Sequence, residues 1–315
     1  MLTRRHIRVK VMQCIYALIH SKDDSLEKQQ EFLNDSIDKM YELYLLVLSL
    51  LIEIQAYAGS QVALSTKKYL ADSSDDYPSK DKFANNALLL QLTSNKLLKE
   101  ELSKRKLKNW YLNEEYVKLI YKEIVENESY KSYMMSSSQS YEEDKKLIQA
   151  LFKDVIAPNE KIYDYFEDDQ LTWVDDIPIV NTFVLKQFRK ASKNQKPSFF
   201  LPSLLKDDQD REYAQQLLVK TLLNNEKWEK EIEGKTPNWD KDRIADIDSI
   251  LLKMGICELL NFPSIPEKVT INEFLEIAKE YSTPKSSIFI NGILDKLVKE
   301  YRADGKLKKL GRGLL

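Results

Sequence analysis

Apolar residues along this chain recur at three- and four-residue spacing rather than alternating, a periodicity that predicts helix in every patterned segment. The predicted elements lie near 5–20 and 25–58, as several helices across 81–103, 113–127 and 141–156, and then at 178–191, 208–231, 241–261, 267–281 and 285–303. Seven glycines and nine prolines leave little punctuation for hairpins, so the fold class is all-α. Two segments read as connectors: "ADSSDDYPSKD" at 71–81 and "KPSFFLPSLLKDDQD" at 196–210. Between them lies a Lys/Glu/Tyr-rich helical region without a detectable repeat.

The helix signals are strongest at the two ends. On a wheel of about 100° per residue, Ile7, Val11, Cys14, Ile15 and Leu18 share one face of the first helix. Arg5, Gln13, Tyr16 and His20 point away from it, giving an amphipathic, half-buried helix. Toward the C-terminus, Pro263 and Pro266 bracket a break. Thr270 with Glu273 fits a capping box, and Pro266 with Glu267 fits a start one turn earlier. Thr283 before Pro284 reads as an N-cap followed by proline at the first helical position. Gly292, in a helix interior, costs about 1 kcal/mol relative to alanine, which a close helix contact would justify.

Charge changes the picture locally. The 48 basic and 50 acidic residues nearly cancel, and a net charge of −2 argues against a generally cationic nucleic-acid binder. Residues 1–22 nevertheless carry five basic side chains and no acid, whereas residues 142–176 carry eleven acids against four bases. Lys296, Lys299, Arg302, Lys306, Lys308, Lys309 and Arg312 make the end positive again. Cys14 and Cys257 both sit in apolar helical patterns, which favours reduced thiols and a cytoplasmic setting over a disulfide framework. The longest apolar run, "LYLLVLSLLIEI" at 43–54, is interrupted by Ser49 and Glu53 and falls short of a membrane span, so no membrane partner is expected.

Catalytic chemistry has no good candidate. His6 and His20 are the only histidines, and Cys14 falls on the apolar face, as a core thiol would. CxxC, HExxH, Walker and GxGxxG patterns are absent, so no metal or cofactor is expected. Acid pairs such as Asp168/Asp169 and Glu142/Glu143 read as solvated faces. Gly255, Asn272 and Asn291 read as structural, the glycine for close approach and the asparagines for loop or helix-end hydrogen bonds.

The basic cluster in "TRRHIRVKVMQCIYALIH" at 3–20 opposes the helix dipole, so something other than helix stability keeps it there, and an anion is the natural candidate. A secretory signal fits poorly, because Gln13 interrupts the apolar region and no small-residue cleavage site follows. An RNA-binding arm, a mitochondrial presequence and an ordinary solvated helix end all stay open on pattern alone.

Two ends of the chain then carry a family resemblance. "RRHIRVKVMQCIYAL" resembles the N-terminal helix of the NusB transcription antitermination family. "IDSILLKMGICELLNFPSIPEKVTINEFLEIAKEYSTPKSSIFINGILDKL" resembles that family's C-terminal half, most specifically in "INEFLEIAKEY" at 271–281 and "FINGILDKL" at 289–297. Trp239 and Arg243 stand where the family tends to place them. The resemblance covers roughly 1–20 and 208–303, and the large insertion suits an elongated, Bacteroidetes-type member, which discounts the presequence. It implies a NusB-like helical bundle with a helical insertion after the first helix: 1–22 as the basic first helix of the core, 23–206 as the insertion, and 207–315 as the rest of the core with a basic tail.

The resemblance also implies a non-enzymatic, cytoplasmic factor that binds single-stranded boxA-like RNA together with NusE, a small-subunit ribosomal protein, within an RNA polymerase antitermination complex. Carried over by position, Arg4, Arg5 and Arg8 match the family's RNA-contacting end, Lys285 and Phe289 lie near the RNA surface, and Tyr16 and Asp248 match the surface that meets NusE. Lys285 stands where some members are acidic, and Ile288 replaces a basic residue. Phe289 also shares helical spacing with Ile293 and Leu297, the pattern of a core aromatic. Two rival roles follow from the same segments: a helical scaffold that has lost RNA binding, and a domain accessory to an RNA methyltransferase, although the chain carries no glycine-rich cofactor loop.

Overall fold

The computed structural model describes residues 1–21, 25–67, 77–233, 235 and 244–314. The helices in chain order are α1 Arg4–His20, α2 Leu26–Lys67, α3 Ala87–Thr93, α4 Lys96–Lys104, α5 Asn109–Leu112, α6 Glu114–Glu126, α7 Glu128–Met135 and α8 Tyr141–Leu151. They continue as α9 Glu160–Asp169, α10 Asp176–Lys190, α11 Asp208–Leu223, α12 Asn225–Glu233, α13 Asp246–Asn261, α14 Glu267–Tyr281 and α15 Ser286–Ala303. No strand occurs among the described residues, in agreement with the all-α reading.

Two compact units divide the chain, one formed by Met1–Ile37 with Leu204–Leu315 and the other by Asp38–Ser203. The first division falls inside α2 rather than ahead of it, because the opening turns of α2 pack into the first unit. Gln30 Nε2 donates to Gln215 Oε1 at 2.9 Å and Arg211 Nη1 donates to Asn34 Oδ1 at 3.1 Å.

In the first unit α1 packs against α11, α13 and α14, and α13, α14 and α15 pack against one another. α13 is buried on every side from Ile250 to Leu259, which requires close neighbours. Gly255 supplies one such approach: a Cβ there would lie 3.2 Å from Leu294 and 3.5 Å from Phe274, so the glycine expectation holds. α1 is more enclosed than an amphipathic surface helix, with every residue from Ile7 to Met12 buried, including Arg8 and Lys10. Cys14 and Cys257 are both core thiols, and burial pushes them up to about 12 and about 11.

Several local expectations are corrected. Of the two starts the sequence offered for α14, the earlier holds: the helix begins at Glu267 with Pro266 as N-cap, so Thr270 and Glu273 lie inside it and no capping box forms there. α15 starts at Ser286, two residues beyond the Pro284 expectation, and Thr283 Oγ1 instead meets Ser286 Oγ at 2.8 Å. Asn272 and Asn291 sit on exposed positions within helices rather than at their ends. Gly292 has no heavy atom within 4 Å of a Cβ position, so no helix contact explains it.

After α15 the chain reverses through Gly305 at φ +64°. Lys306 N donates to Tyr301 O at 2.8 Å and Gly305 N to Arg302 O at 3.2 Å, the paired bonds of a Schellman end. The reversed tail lies along the α13–α14 loop. Leu310 N donates to Pro263 O at 2.9 Å and Lys309 Nζ to Phe262 O at 3.2 Å.

The second unit has its own core, built from α2 beyond Asp38 and from α3 to α10. Trp110 and Trp173 each bury an indole and donate Nε1–H to main-chain carbonyls of α2, at Leu46 (2.9 Å) and Lys39 (2.8 Å). Asparagines set its helix starts: Asn86, Asn95, Asn127 and Asn159 each accept from amides in the first turn of α3, α4, α7 and α9. The helix expected over 141–156 is α8 followed by a π-helical turn, Phe152–Ile156. By length and composition the Leu26–Leu64 part of α2 would suffice to cross a membrane, contrary to the sequence expectation, since the helix runs on past Ser49 and Glu53. Its most apolar window is 67% buried within the protein, as a core helix is.

Because Gly292 is exposed within α15 and an added methyl meets nothing, Gly292→Ala should stabilise the chain by about 0.5–1 kcal/mol. Urea unfolding followed by circular dichroism reads this as a higher midpoint at unchanged slope. A lower midpoint would mean that the position does need a glycine.

Candidate nucleic-acid interface

Thr3 is extended and opens α1, and its backbone N–H donates to His6 Nδ1 at 3.3 Å. That bond requires an unprotonated Nδ1, consistent with a His6 pKa lowered by burial and then by the Arg5 charge. The arginines follow. Arg4 Nε donates to Asp210 Oδ1 of α11 at 3.0 Å, with its guanidinium 5.0 Å from the centre of the Tyr213 ring. Arg5 makes a bidentate pair with Glu273 of α14, both bonds at 2.9 Å. That pairing, opposed by partial burial, holds the Glu273 carboxyl below the usual carboxylate range.

Arg8 is different in kind. It is 2% exposed and pairs with Glu258, which is fully buried, through Nε–Oε2 at 2.8 Å and Nη2–Oε1 at 2.7 Å. Thr270 Oγ1 donates to Glu258 Oε1 at 2.7 Å and the Tyr213 hydroxyl donates to Oε2. A carboxylate offers about four lone-pair sites, and here α1, α11 and α14 fill all of them. Burial opposes the Arg8 charge, yet Glu258, Tyr213 and Glu273 outweigh it and hold its pKa above the ordinary arginine value. Burial, reinforced by Glu258, pushes the Tyr213 phenol well above its own range, so the phenol stays a donor.

The expectation that an anion offsets the basic start of α1 is therefore met first within the chain, by Asp210, Glu258 and Glu273. Arg8 presents only 2% of its side-chain surface, and its guanidinium is consumed by the core pair with Glu258. Arg4 and Arg5 remain partly exposed, each with 38% of its side-chain surface accessible. Beside them opens a cavity of about 720 Å³, lined by Thr3 to His6 and Arg8 on one side and by Ser264, Ile265, Pro266, Val269 and Glu273 on the other, with Arg312 completing it. Residues from the N-terminal turns of both α1 and α14 line the same space, so two positive helix ends meet there.

The remaining sequence candidates lie elsewhere. Lys285 and Phe289 are not part of that lining; Lys285 is exposed as the N-cap of α15 and Phe289 is half-buried beside Ile288, which is 75% exposed. Ile293 and Leu297, on the same helical spacing, are buried. Tyr16 is exposed on α1 with its ring 4.4 Å from that of His20. Asp248 is corrected from a surface residue to a buried one: it accepts Ser282 Oγ at 2.6 Å and Ser286 Oγ at 2.7 Å, which ties α13 to the turn that starts α15. Trp239 and Arg243 lie outside the described residues. Among the described residues no group of His, Cys, Asp and Glu is placed to hold a metal ion.

The sequence reading passed over Glu258 and Tyr213 and gave Thr270 a capping role rather than a place on Glu258. The signal was present as a lone acid in the apolar "MGICELL", since a buried charge needs an opposite partner, and Arg8 between Ile7 and Val9 could supply one.

What this geometry defines is a class: an all-α unit whose first helix is locked into the core by charge and whose helix ends frame a cationic concavity. Comparison with known proteins narrows it. The family model described as NusB family matches residues 178–299, which leaves α1 outside the matched segment. Transcription antitermination protein NusB of Salinibacter ruber is 43% identical over 109 residues, covering 35% of this chain and 68% of the relative. The NusB proteins of Chloroherpeton thalassium and Methylacidiphilum infernorum are 35% and 43% identical over 130 and 94 residues, spanning 62% and 66% of those relatives. The chain belongs to the NusB family. No solved structure matches it significantly.

Removing one partner of a saturated buried pair leaves the other charge unmet, which costs about 3–5 kcal/mol. Glu258→Ala should therefore unfold at much lower urea, whereas Glu273→Gln, which breaks a partly exposed pair, should cost less than about 1 kcal/mol. The Glu273 carboxyl is depressed in the fold, so its contribution is present above the ordinary carboxylate range and is lost as pH falls through its lowered pKa. The midpoint difference between the native chain and Glu273→Gln should accordingly close in acid; a difference independent of pH would contradict the pairing.

Proposed function

We propose that this chain is a non-catalytic transcription antitermination factor that acts in the cytoplasm, binding single-stranded boxA-like RNA together with NusE within an RNA polymerase antitermination complex. The observation that carries this reading is the arginine-lined cavity at the start of α1, in a chain of the NusB family. Arg4 and Arg5 are the phosphate-contacting pair, since both keep part of their side-chain surface accessible, and the partly exposed Arg5–Glu273 pair is worth only about 0–1 kcal/mol and exchanges readily for a phosphate. Arg8 acts indirectly, by fixing the helix that presents them. Lys285 and Phe289 form a second contact region, with Phe289 as a stacking surface for an unpaired base. Tyr16, with the neighbouring exposed Ile19 and His20, faces NusE, and Asp248 supports the α15 start from beneath.

The test is fluorescence anisotropy of a labelled boxA-like RNA, with and without NusE, for the native chain and for Arg4→Ala/Arg5→Ala. The reading expects binding that NusE strengthens, that the variant loses at least tenfold, and that falls with salt at a slope of about −0.7 per phosphate neutralised. Equal binding by both proteins, or none by either, would sink it and leave the scaffold role.

A further inference from the structure

The arginines of the cavity are not equally available. Arg4 faces Asp210, Arg5 faces Glu273 and Arg8 faces Glu258, so an incoming anion must displace a carboxylate to reach any of them. Arg312 lines the same cavity, is exposed, and has no hydrogen bond or ion pair among the described residues. It comes from the reversed tail, which begins beyond residue 299, where the family match ends.

That tail is seated rather than draped. Gly305 turns it back and Leu310 N and Lys309 Nζ hold it to the carbonyls of Pro263 and Phe262. Gly313 then passes so close to the Pro263 carbonyl that a Cβ would lie 1.9 Å from its oxygen, so only glycine fits there. Gly311, at φ +53°, adds a second position that disfavours a side chain. Two glycines with backbone reasons thus flank one arginine that has no partner among the described residues.

We propose that Arg312 is an RNA-contacting residue contributed by the C-terminal tail, which seats a backbone phosphate of single-stranded RNA at the cavity between the starts of α1 and α14. This rests on the reading of that cavity as an RNA site. The Arg312 guanidinium captures the phosphate without breaking a pair, and Arg5 then trades its partly exposed Glu273 for the phosphate beside it, while Arg4 adds its charge from its pair with the buried Asp210. Neutralising one phosphate contributes about 0.7 to the salt slope of single-strand binding.

Anisotropy titrations of the full chain with a labelled single-stranded boxA-like RNA, over a salt series, compare Arg312→Ala, Gly313→Ala and Arg5→Ala. Arg312→Ala should weaken binding about five- to tenfold at low salt and flatten the slope by about 0.7, with helical content and urea midpoint unchanged. Gly313→Ala, which dislodges the tail but keeps Arg312, should weaken binding to a similar extent. Unchanged affinity and slope in both tail variants, with binding lost in Arg5→Ala, would overturn the inference and leave the cavity's RNA role intact. If the native chain fails to bind, or if Arg5→Ala and both tail variants all bind as it does, both readings fall.

Discussion

The first unit depends on one buried carboxylate. Glu258 has no solvent contact, and its two oxygens accept from Arg8, Thr270 and Tyr213, drawn from three other helices. Hydrophobic contact alone would let α1 slide or rotate against α11, α13 and α14, because apolar surfaces tolerate many registers at similar energy. A buried charge does not. Any shift of α1 that parts Arg8 from Glu258 leaves two ions without solvent or partner, at a cost far above the modest net worth of the intact pair. The pair therefore selects an arrangement more than it adds stability, and the enclosed stretch from Ile7 to Met12 follows from it.

The same constraint divides labour among neighbouring arginines. Arg5 is three residues before Arg8 on α1, near enough for Glu273 to bond Arg5 at 2.9 Å and approach Arg8 at 3.6 Å. Arg8 has given up solvent and is spent on the core, whereas Arg4 and Arg5 keep over a third of their side-chain surface, and the partly exposed Arg5–Glu273 pair is the more screened and exchangeable of the two. A cationic surface built this way stays folded without ligand and presents its charge when one arrives. It also reconciles a net charge of −2 with a local basic site, since the field that matters extends only about 8 Å at physiological salt.

Much of this was legible in the sequence. Apolar periodicity located α1, α10, α13, α14 and α15 to within a few residues, whereas the single helix expected over 208–231 is broken at Asn224 into α11 and α12; the crowded Gly255 was read correctly. Shorter elements escaped: α5, α7 and α9 are brief, and two of them start at Asn127 and Asn159, whose capping role competes with their ordinary reading as loop residues. Pro266 and Pro284 illustrate the limit of local signals. Both sit near helix starts, but the first opens its helix while the second is followed by a turn tied to Asp248, a partner remote in sequence. Arg8 and Asp248 were misjudged for the same reason, because whether a charge lies at the surface depends on what a distant helix places opposite it.

The position of the arginine-bearing end is set from outside α1 as well. Leu2 N–H donates to Leu204 O at 2.8 Å, the residue at which the chain returns to the first unit after Asp38–Ser203. A long excursion can leave and re-enter a small helical unit if its return point is pinned, because closure entropy grows only slowly with the length enclosed. Here the pin is the backbone immediately ahead of Arg4. Three separate segments then converge on the cavity: the return at Leu204 holds the residues before it, the Glu258 cluster holds the helix after it, and the tail at Pro263 supplies its far wall. The inserted unit keeps its own tryptophan-anchored core, and the cationic end is held by residues of the first unit.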